Sequence, residues 1–280
     1  MSEGFSAEWL ALREPADHAA RNPGLAAAAS AAIGERRVQR VVDLGCGAGS
    51  NLRGFAPKLG PRQHWTLVDY DPRLLAAARA ALTRWADRAT QEDDALLLEK
   101  GGRRIEVDFR QADLAADPAS PLGGEVDLVT AAALFDLVSQ DWLMRFADAL
   151  AARRLPLYTV LIYDGIERWA PPHPADAAAL AAFHAHQAGD KGFGPALGPK
   201  AAPAFEAALT RRGYRVRRAQ SPWRLGPAQA ALIEALADGA AGALAETGRM
   251  AAADIEDWRL ARRLASACEI GHEDLLATPG

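Results

Sequence analysis

The feature that most constrains this chain is a turn in which glycine recurs at every second position. Val38–Leu44 is an apolar run with the β-branched content of a buried strand, and Gly45-Cys46-Gly47-Ala48-Gly49-Ser50-Asn51 follows it. Glycine has no Cβ and enters left-handed backbone freely, so three of them let the main chain bend sharply and pass close to a ligand. A helix opening after Gly49 turns its unpaired N–H groups toward that ligand and favours an anionic group there. A second apolar run, His64–Asp69, ends 20 residues beyond Gly49 on an acid suited to accept hydrogen bonds from ribose hydroxyls.

Strand-like and helix-like stretches alternate along the rest of the chain, the pattern of a parallel sheet covered on both faces. Asp71-Pro72 reads as an N-cap and first helical position, opening a helix to about Arg88. Residues 95–98 and 105–109, with Gly101-Gly102 between them, read as paired strands ending at Gln111-Ala112-Asp113. Glu125–Ala132 and Leu155–Tyr163 read as buried strands around a helix at 140–152. Beyond Tyr163 the rhythm changes. Prolines 171, 172 and 174 introduce an Ala-rich helix to about Ala188, and Gly189–Pro199 is a Gly/Pro-rich loop. A helix over 200–212 stops at Gly213 before a strand at 214–218. Two more helices, near 227–246 and 251–267, precede a last strand at 268–277. The expectation is one α/β domain over 1–280. Helical insertions at 170–200 and 226–266 form its cap over the ligand crevice, and residues 1–36 form an N-terminal helical lid.

Composition narrows the classes. With 32 Lys+Arg against 36 Asp+Glu, the net charge of −4 disfavours a nucleic-acid coat or a polybasic membrane binder. Two cysteines, Cys46 and Cys268, make neither a disulfide framework nor a four-thiolate zinc site. The longest apolar runs are about half of what a bilayer span needs. The first residues lack the basic-then-apolar order of a secretory signal, so a cytoplasmic protein is expected.

Spacing separates the glycine turn from its rivals. A dinucleotide fingerprint wants Gly-x-Gly-x-x-Gly, yet Ser50 stands three residues past Gly47; a P-loop wants Gly-Lys-Ser/Thr, which is absent. No Tyr-x-x-x-Lys pair supports a nicotinamide oxidoreductase. Asp43 before Gly45-x-Gly47-x-Gly49 instead resembles motif I of the class I S-adenosylmethionine (SAM)-dependent methyltransferases. Asp69 resembles the ribose-binding acid of that family, Asp113-Leu114 its adenine-binding acid, and Asp127-Leu-Val-Thr-Ala131 its fourth strand, beside the sulfonium. The resemblance spans roughly residues 38–163, and more loosely 200–218 and the final strand. It implies a Rossmann-like three-layer sandwich whose mainly parallel seven-stranded sheet is reversed at its last strand. It also implies SAM as cofactor, held at Asp43, Gly45, Cys46, Gly47, Gly49, Asp69, Tyr70, Asp113, Leu114 and Ala131.

The activity so implied is methyl transfer to oxygen or nitrogen of a small molecule, driven mainly by proximity and orientation. The acceptor's identity and any catalytic base are not legible. Thr130-Ala-Ala-Ala-Leu-Phe135 is not the Asn/Asp-Pro-Pro-Tyr/Phe tetrad of base-amine methyltransferases, and no Pro-Cys pair offers a cytosine-C5 nucleophile. RNA or protein methylation and a non-catalytic SAM-binding sensor or partner subunit stand as alternatives; a homodimer is compatible with the chain. In the N-terminal segment, Asp17 and Arg21 share a helix face, either as a solvated ion pair or with Arg21 pairing the cofactor's carboxylate. His184 and His186 point apart, and with His173 and His272 scattered no metal site is expected. The His186–Pro195 loop surrounds a charged pair with Gly and Pro, which puts His186 and Lys191 on the substrate side. Arg211, Arg212, Arg215, Arg217, Arg218 and Arg224 read as a charged sheet edge or, alternatively, an anion-binding patch. Tyr158 and Tyr163 read as core.

Overall fold

The computed structural model describes residues 5–280, so residues 1–4 of the expected lid segment lie outside the described residues. Helices α1 (Ala7–Ala20) and α2 (Pro23–Ile33) precede β1 (Gln39–Leu44), α3 (Ser50–Phe55) and β2 (Arg62–Asp69). Then follow α4 (Pro72–Trp85), a meander of β3 (Arg88–Glu92), β4 (Ala95–Lys100) and β5 (Arg103–Gln111), and β6 (Leu128–Ala132). The second half runs α5 (Gln140–Arg153), β7 (Leu157–Ala170), α6 (Asp176–Gln187), α7 (Ala201–Thr210), β8 (Tyr214–Gln220), β9 (Trp223–Leu225), α8 (Ala230–Thr247), α9 (Ala252–Arg263) and β10 (Ala267–Pro279).

The strands form one sheet in the order β3-β4-β5-β2-β1-β6-β7-β10-β8, with β9 also on β10. From β5 to β7 all pairs are parallel; β10 is antiparallel to β7, β8 and β9. The expected seven strands are β5 through β8 in this order. Strand β4 is the partner expected at 95–98, paired antiparallel with β5, and the structure adds β3 beyond it and β9 on β10. Strand β3 replaces the expected end of α4. Asp87 turns the chain there, its N–H bonded to Glu99 O and its carboxylate accepting from Lys100 Nζ and Gly101 N, both at 2.8 Å. The run Arg88-Ala-Thr-Gln-Glu92 is almost wholly exposed, so it has no apolar face to announce a strand. Asp71 is the N-cap of α4 as expected, accepting from Arg73 N at 2.8 Å.

Two apolar clusters, one built with α2, α3 and α4 and the other with α5 and α7, sandwich the sheet. They place the carboxyl ends of β1, β2, β5 and β6 along one crest, the edge at which open α/β sheets bind ligands.

Strand β7 behaves differently. It pairs with β6 only over Leu157–Val160; beyond Leu161, whose φ is +60°, it pairs with β10 alone. The ribbon so formed overshoots the sheet and carries a third apolar cluster from α6, α8 and α9, with Trp169 packed edge-on to Trp258. The two late insertions are thus one helical module. Asp274 of β10 fixes the departure point: its Oδ1 accepts from Leu161 N (3.0 Å) and its Oδ2 from Asn22 N (2.8 Å) between α1 and α2. Asp274→Ala would strand two N–H groups, at about 1–3 kcal/mol each. Urea denaturation should show stability lower by about 2–4 kcal/mol.

Candidate functional site

The site is built on the turn between β1 and α3. Gly45, Gly47 and Gly49 adopt φ of +60°, +52° and +75°, so the alternation of glycines meets a backbone that ordinary side chains rarely adopt. At Gly47 a Cβ would also lie 2.9 Å from Leu10 Cδ1, because α1 lies across the turn. Asp69, at the tip of β2, braces it: Oδ2 accepts from Gly47 N at 2.8 Å and Oδ1 from Asp71 N at 3.0 Å. Burial pushes the Asp69 carboxyl above its usual range, and these N–H bonds oppose that. Tyr70 beside it is 68% exposed, an aromatic face left open at the crest.

Beneath the turn Asp43 is fully buried. Its Oδ1 accepts from Asn51 Nδ2 at 2.6 Å, and the same amide donates to Thr130 Oγ1 at 3.0 Å, tying β1, α3 and β6 together. Oδ2 of Asp43 is buried without a partner, as are Nε and Nη1 of Arg21. The Arg21 guanidinium is near enough to favour the Asp43 carboxylate electrostatically, but burial dominates and raises that carboxyl to about 7. An orphaned carboxylate oxygen and an orphaned guanidinium in one neighbourhood fit a zwitterionic ligand, whose ammonium and carboxylate satisfy both. Cys46 is buried and its thiol is pushed far up by burial and the nearby Asp69 and Asp43, so it packs rather than reacts.

Helix α1 seals the turn with one stripe. Leu10 covers Gly47; Glu14 bonds Arg53, whose Nη1 also donates to Ala48 O at 2.9 Å; His18 Nε2 lies 3.0 Å from Ser50 O. The Asp17–Arg21 pairing expected from spacing does not form. Asp17 pairs with Arg13 (Nε–Oδ2 3.0 Å) and accepts from Trp223 Nε1 at 3.1 Å, inside the protein. The helix runs through Pro15 without interruption, which puts Arg13 and Asp17 on its other inward face.

The remaining candidates separate by position. Asp113 is exposed, and its Oδ1 caps the following turn through Ala115 N and Ala116 N at 2.9 and 3.2 Å. Leu114 is buried and its carbonyl accepts from Trp142 Nε1 at 2.6 Å; Ala131 is buried in β6, paired with Leu44. His186 and Lys191 do not join the crest residues. His186 Nε2 faces Glu246 of α8 at 3.0 Å, and Lys191 Nζ lies 3.4 Å from His186 Nδ1. On the same helix it is His184 and Gln187 that turn inward, to Tyr163 Oη (3.1 Å) and Asp136 Oδ2 (3.3 Å). Tyr158 is core, against Phe55, but Tyr163 is a hydrogen-bonding member of this interior and donates to Glu167 Oε1 at 3.0 Å. Of the arginine cluster, Arg212 pairs with Asp148, Arg224 with Glu269, and Arg218 with Glu206 and Glu273. Among the described residues no group of three or more His, Cys, Asp or Glu side chains is arranged to hold a metal ion, and no helix is long and apolar enough to cross a membrane.

The buried Asp43 has a consequence for stability. A carboxyl raised in the folded state to about 7, from an ordinary 3.8, makes the native protein bind more protons than the unfolded chain between those values. Its contribution to stability therefore falls as pH rises from about 4 to about 7. Asp43→Asn removes the titration. In urea unfolding, the variant should gain on the wild type between pH 5 and pH 8 by about 1 kcal/mol or more.

A family described as a methyltransferase domain matches residues 41–154. No curated protein matches the sequence. Among solved structures the chain is similar to a cyclopropane-fatty-acyl-phospholipid synthase-like protein from Lactobacillus casei, with 15% identity, 99% of this chain and 95% of that chain covered, and a TM-score of 0.52. It is also similar to the YcgJ protein from Bacillus subtilis, at 14% identity, 91% and 97% coverage and a TM-score of 0.50. A third is the mycolic acid cyclopropane synthase CmaA1 complexed with SAH and CTAB, at 12% identity, 91% and 83% coverage and a TM-score of 0.50. At these identities the likeness is one of fold. The methyltransferase-domain match takes in the glycine turn, Asp69 and Asp113 in one stretch, the same stretch that carries the resemblance to SAM-dependent methyltransferases.

Proposed function

We propose that this enzyme methylates an oxygen or nitrogen atom of a small molecule held between the glycine turn and the α6–α8–α9 module. The observation that carries the reading is the overshoot of β7 and β10. It carries the helical module past the end of β6, where α8 meets α1, and an acceptor enclosed between these helices would be a small molecule rather than a polymer. The module then serves as a cap and α1 as a lid.

In this reading Asp69 receives the ribose hydroxyls and Asp113 the adenine amino group, with Tyr70 alongside. Asp43 holds the ammonium of the methionine moiety and Arg21 its carboxylate; the orphaned atoms on both side chains support that division. When bound, SAM supplies a methyl group already activated on a positively charged sulfur. The protein's share is to orient the acceptor in line with it and to keep water out.

Two measurements test this. Titration calorimetry with S-adenosylhomocysteine should give saturable heat with the wild type, and Arg21→Ala should weaken binding by about tenfold or more. An unchanged dissociation constant would remove Arg21 from the site. Methyl-labelled SAM incubated with the small-molecule fraction of a cell extract should yield a labelled small molecule; label appearing only in bulk RNA or protein would overturn the small-acceptor reading.

A further inference from the structure

Polar side chains from separate elements gather in a buried ring beside the glycine turn. Asp136, in the short 3-10 turn 135–137 after β6, is buried. Its carboxylate accepts from Gln187 Nε2 at the end of α6 (3.3 Å), and the backbone N–H of Tyr163 in β7 is near enough to favour its charged form. The Tyr163 ring stands edge-on to His272 of β10, 6.3 Å between centroids, and His272 packs on Trp223 of β9 at 5.1 Å. Trp223 bonds Asp17, Asp17 bonds Arg13, and Arg13 lies 5.0 Å over the Trp223 ring. The charge of Arg13 is felt at both Asp136 and His272.

Three buried polar atoms of this ring have no partner: Asp136 Oδ1, Gln187 Oε1 and His272 Nδ1. Leaving such an atom unsatisfied costs about 1–3 kcal/mol, and a ligand that bonds to them removes that penalty. The ring adjoins the methyl donor's place on two sides. Leu134, two residues before Asp136, lies against Gly45, and Leu10, three residues before Arg13, lies against Gly47.

We propose that this ring is the acceptor site, that the acceptor presents hydroxyl or amine hydrogens to Asp136 Oδ1 and Gln187 Oε1, and that Asp136 is the general base. The proposal rests on the methyl-transfer reading above and adds its chemistry. The acceptor's oxygen or nitrogen forms a bond to the methyl carbon as the carbon–sulfur bond breaks. Sulfur keeps the bonding pair and ends as a neutral thioether, and the proton of the acceptor passes to the Asp136 carboxylate. Gln187 fixes the acceptor's orientation, and His272 offers a third contact. Burial raises the Asp136 carboxyl to about 6 against the opposing effects of Arg13 from α1, Gln187 from α6 and the Tyr163 N–H from β7. A base poised there is ionised at neutral pH yet holds a proton better than an ordinary carboxylate. His272 is pushed down to about 3 by burial and stays neutral, so it adds no charge to the pocket.

The test uses full-length enzyme, methyl-labelled SAM and a dilution series of the small-molecule fraction of a cell extract. Asp136→Asn should bind S-adenosylhomocysteine within about threefold of wild type but incorporate label at least about a hundredfold more slowly. The wild-type rate should rise with an acid limb near pH 6 that the variant lacks. Gln187→Met should move half-saturation to about tenfold higher extract concentration with the maximal rate and the acid limb kept; it decides the matter if Asp136→Asn fails to fold. Acetylating the extract beforehand masks hydroxyls and primary amines and should abolish incorporation. Wild-type rate in Asp136→Asn, wild-type half-saturation in Gln187→Met, or label retained after acetylation each overturns the proposal. Wild type that binds S-adenosylhomocysteine but labels nothing overturns it and the small-acceptor reading while leaving the cofactor assignment intact. Wild type that gives no binding heat strikes at the cofactor assignment itself.

Discussion

One carboxylate ties the N-terminal helices and the departing ribbon to the sheet. Asp274, buried in the last strand, holds the N–H of Leu161 where β7 leaves its parallel neighbour and the N–H of Asn22 where α1 gives way to α2. Leu161 sits in left-handed backbone, a conformation that an ordinary side chain reaches only when the surroundings over-determine it. With that bend set, β7 and β10 run on as a two-stranded ribbon, and the helical module sits on the ribbon. With Asn22 tied down, α1 is aimed across the glycine turn. The N-terminal helices and the ribbon that carries the helical module therefore share one anchor, placed in the last strand, 252 residues from Asn22 in sequence.

Four of the buried acids fall into two kinds, while Asp17 is satisfied by the side chains of Arg13 and Trp223. Asp274 and Asp69 have both oxygens bonded by backbone N–H groups and hold loops in place, Asp69 keeping lone pairs free for the ribose in the reading proposed above. Asp43 and Asp136 each keep one oxygen buried and unpartnered. A fold gains nothing from such an atom, since its desolvation is uncompensated until something binds. Both lie along the crest at which the parallel strands end, one under the glycine turn and one in the turn after β6.

Much of the cofactor side was legible in the sequence because it is local. The Gly45–Gly49 spacing, the acid ending His64–Asp69 and the Asp71-Pro72 start lie within 28 residues, and each has a backbone reason for its residue type. The side proposed for the acceptor was not. Asp136, Tyr163, Gln187, Trp223 and His272 come from five elements spread over 137 residues, and no spacing rule links them. Helical periodicity put Asp17 with Arg21, yet the choice between i−4 and i+4 partners fell to Trp223, which pulled Asp17 toward Arg13. The same limit explains His186. Gly and Pro around it mark a shaped loop, but only the packing of α6 on α8 turns His186 outward to Glu246 and Gln187 inward. One signal was available: Asp136 stands four residues past the end of β6, at the strand edge where sites gather.

The sequence by itself determined the alternation of strands and helices, the ligand-binding turn and the acid at the tip of the neighbouring strand, since these depend on residue types at short range. Tertiary structure alone decided that β7 outruns the sheet, that two insertions merge into one module and that side chains from five distant elements meet one after another in the interior. Those outcomes depend on which buried donor meets which buried acceptor across the fold, and that matching exists only once the layers have packed.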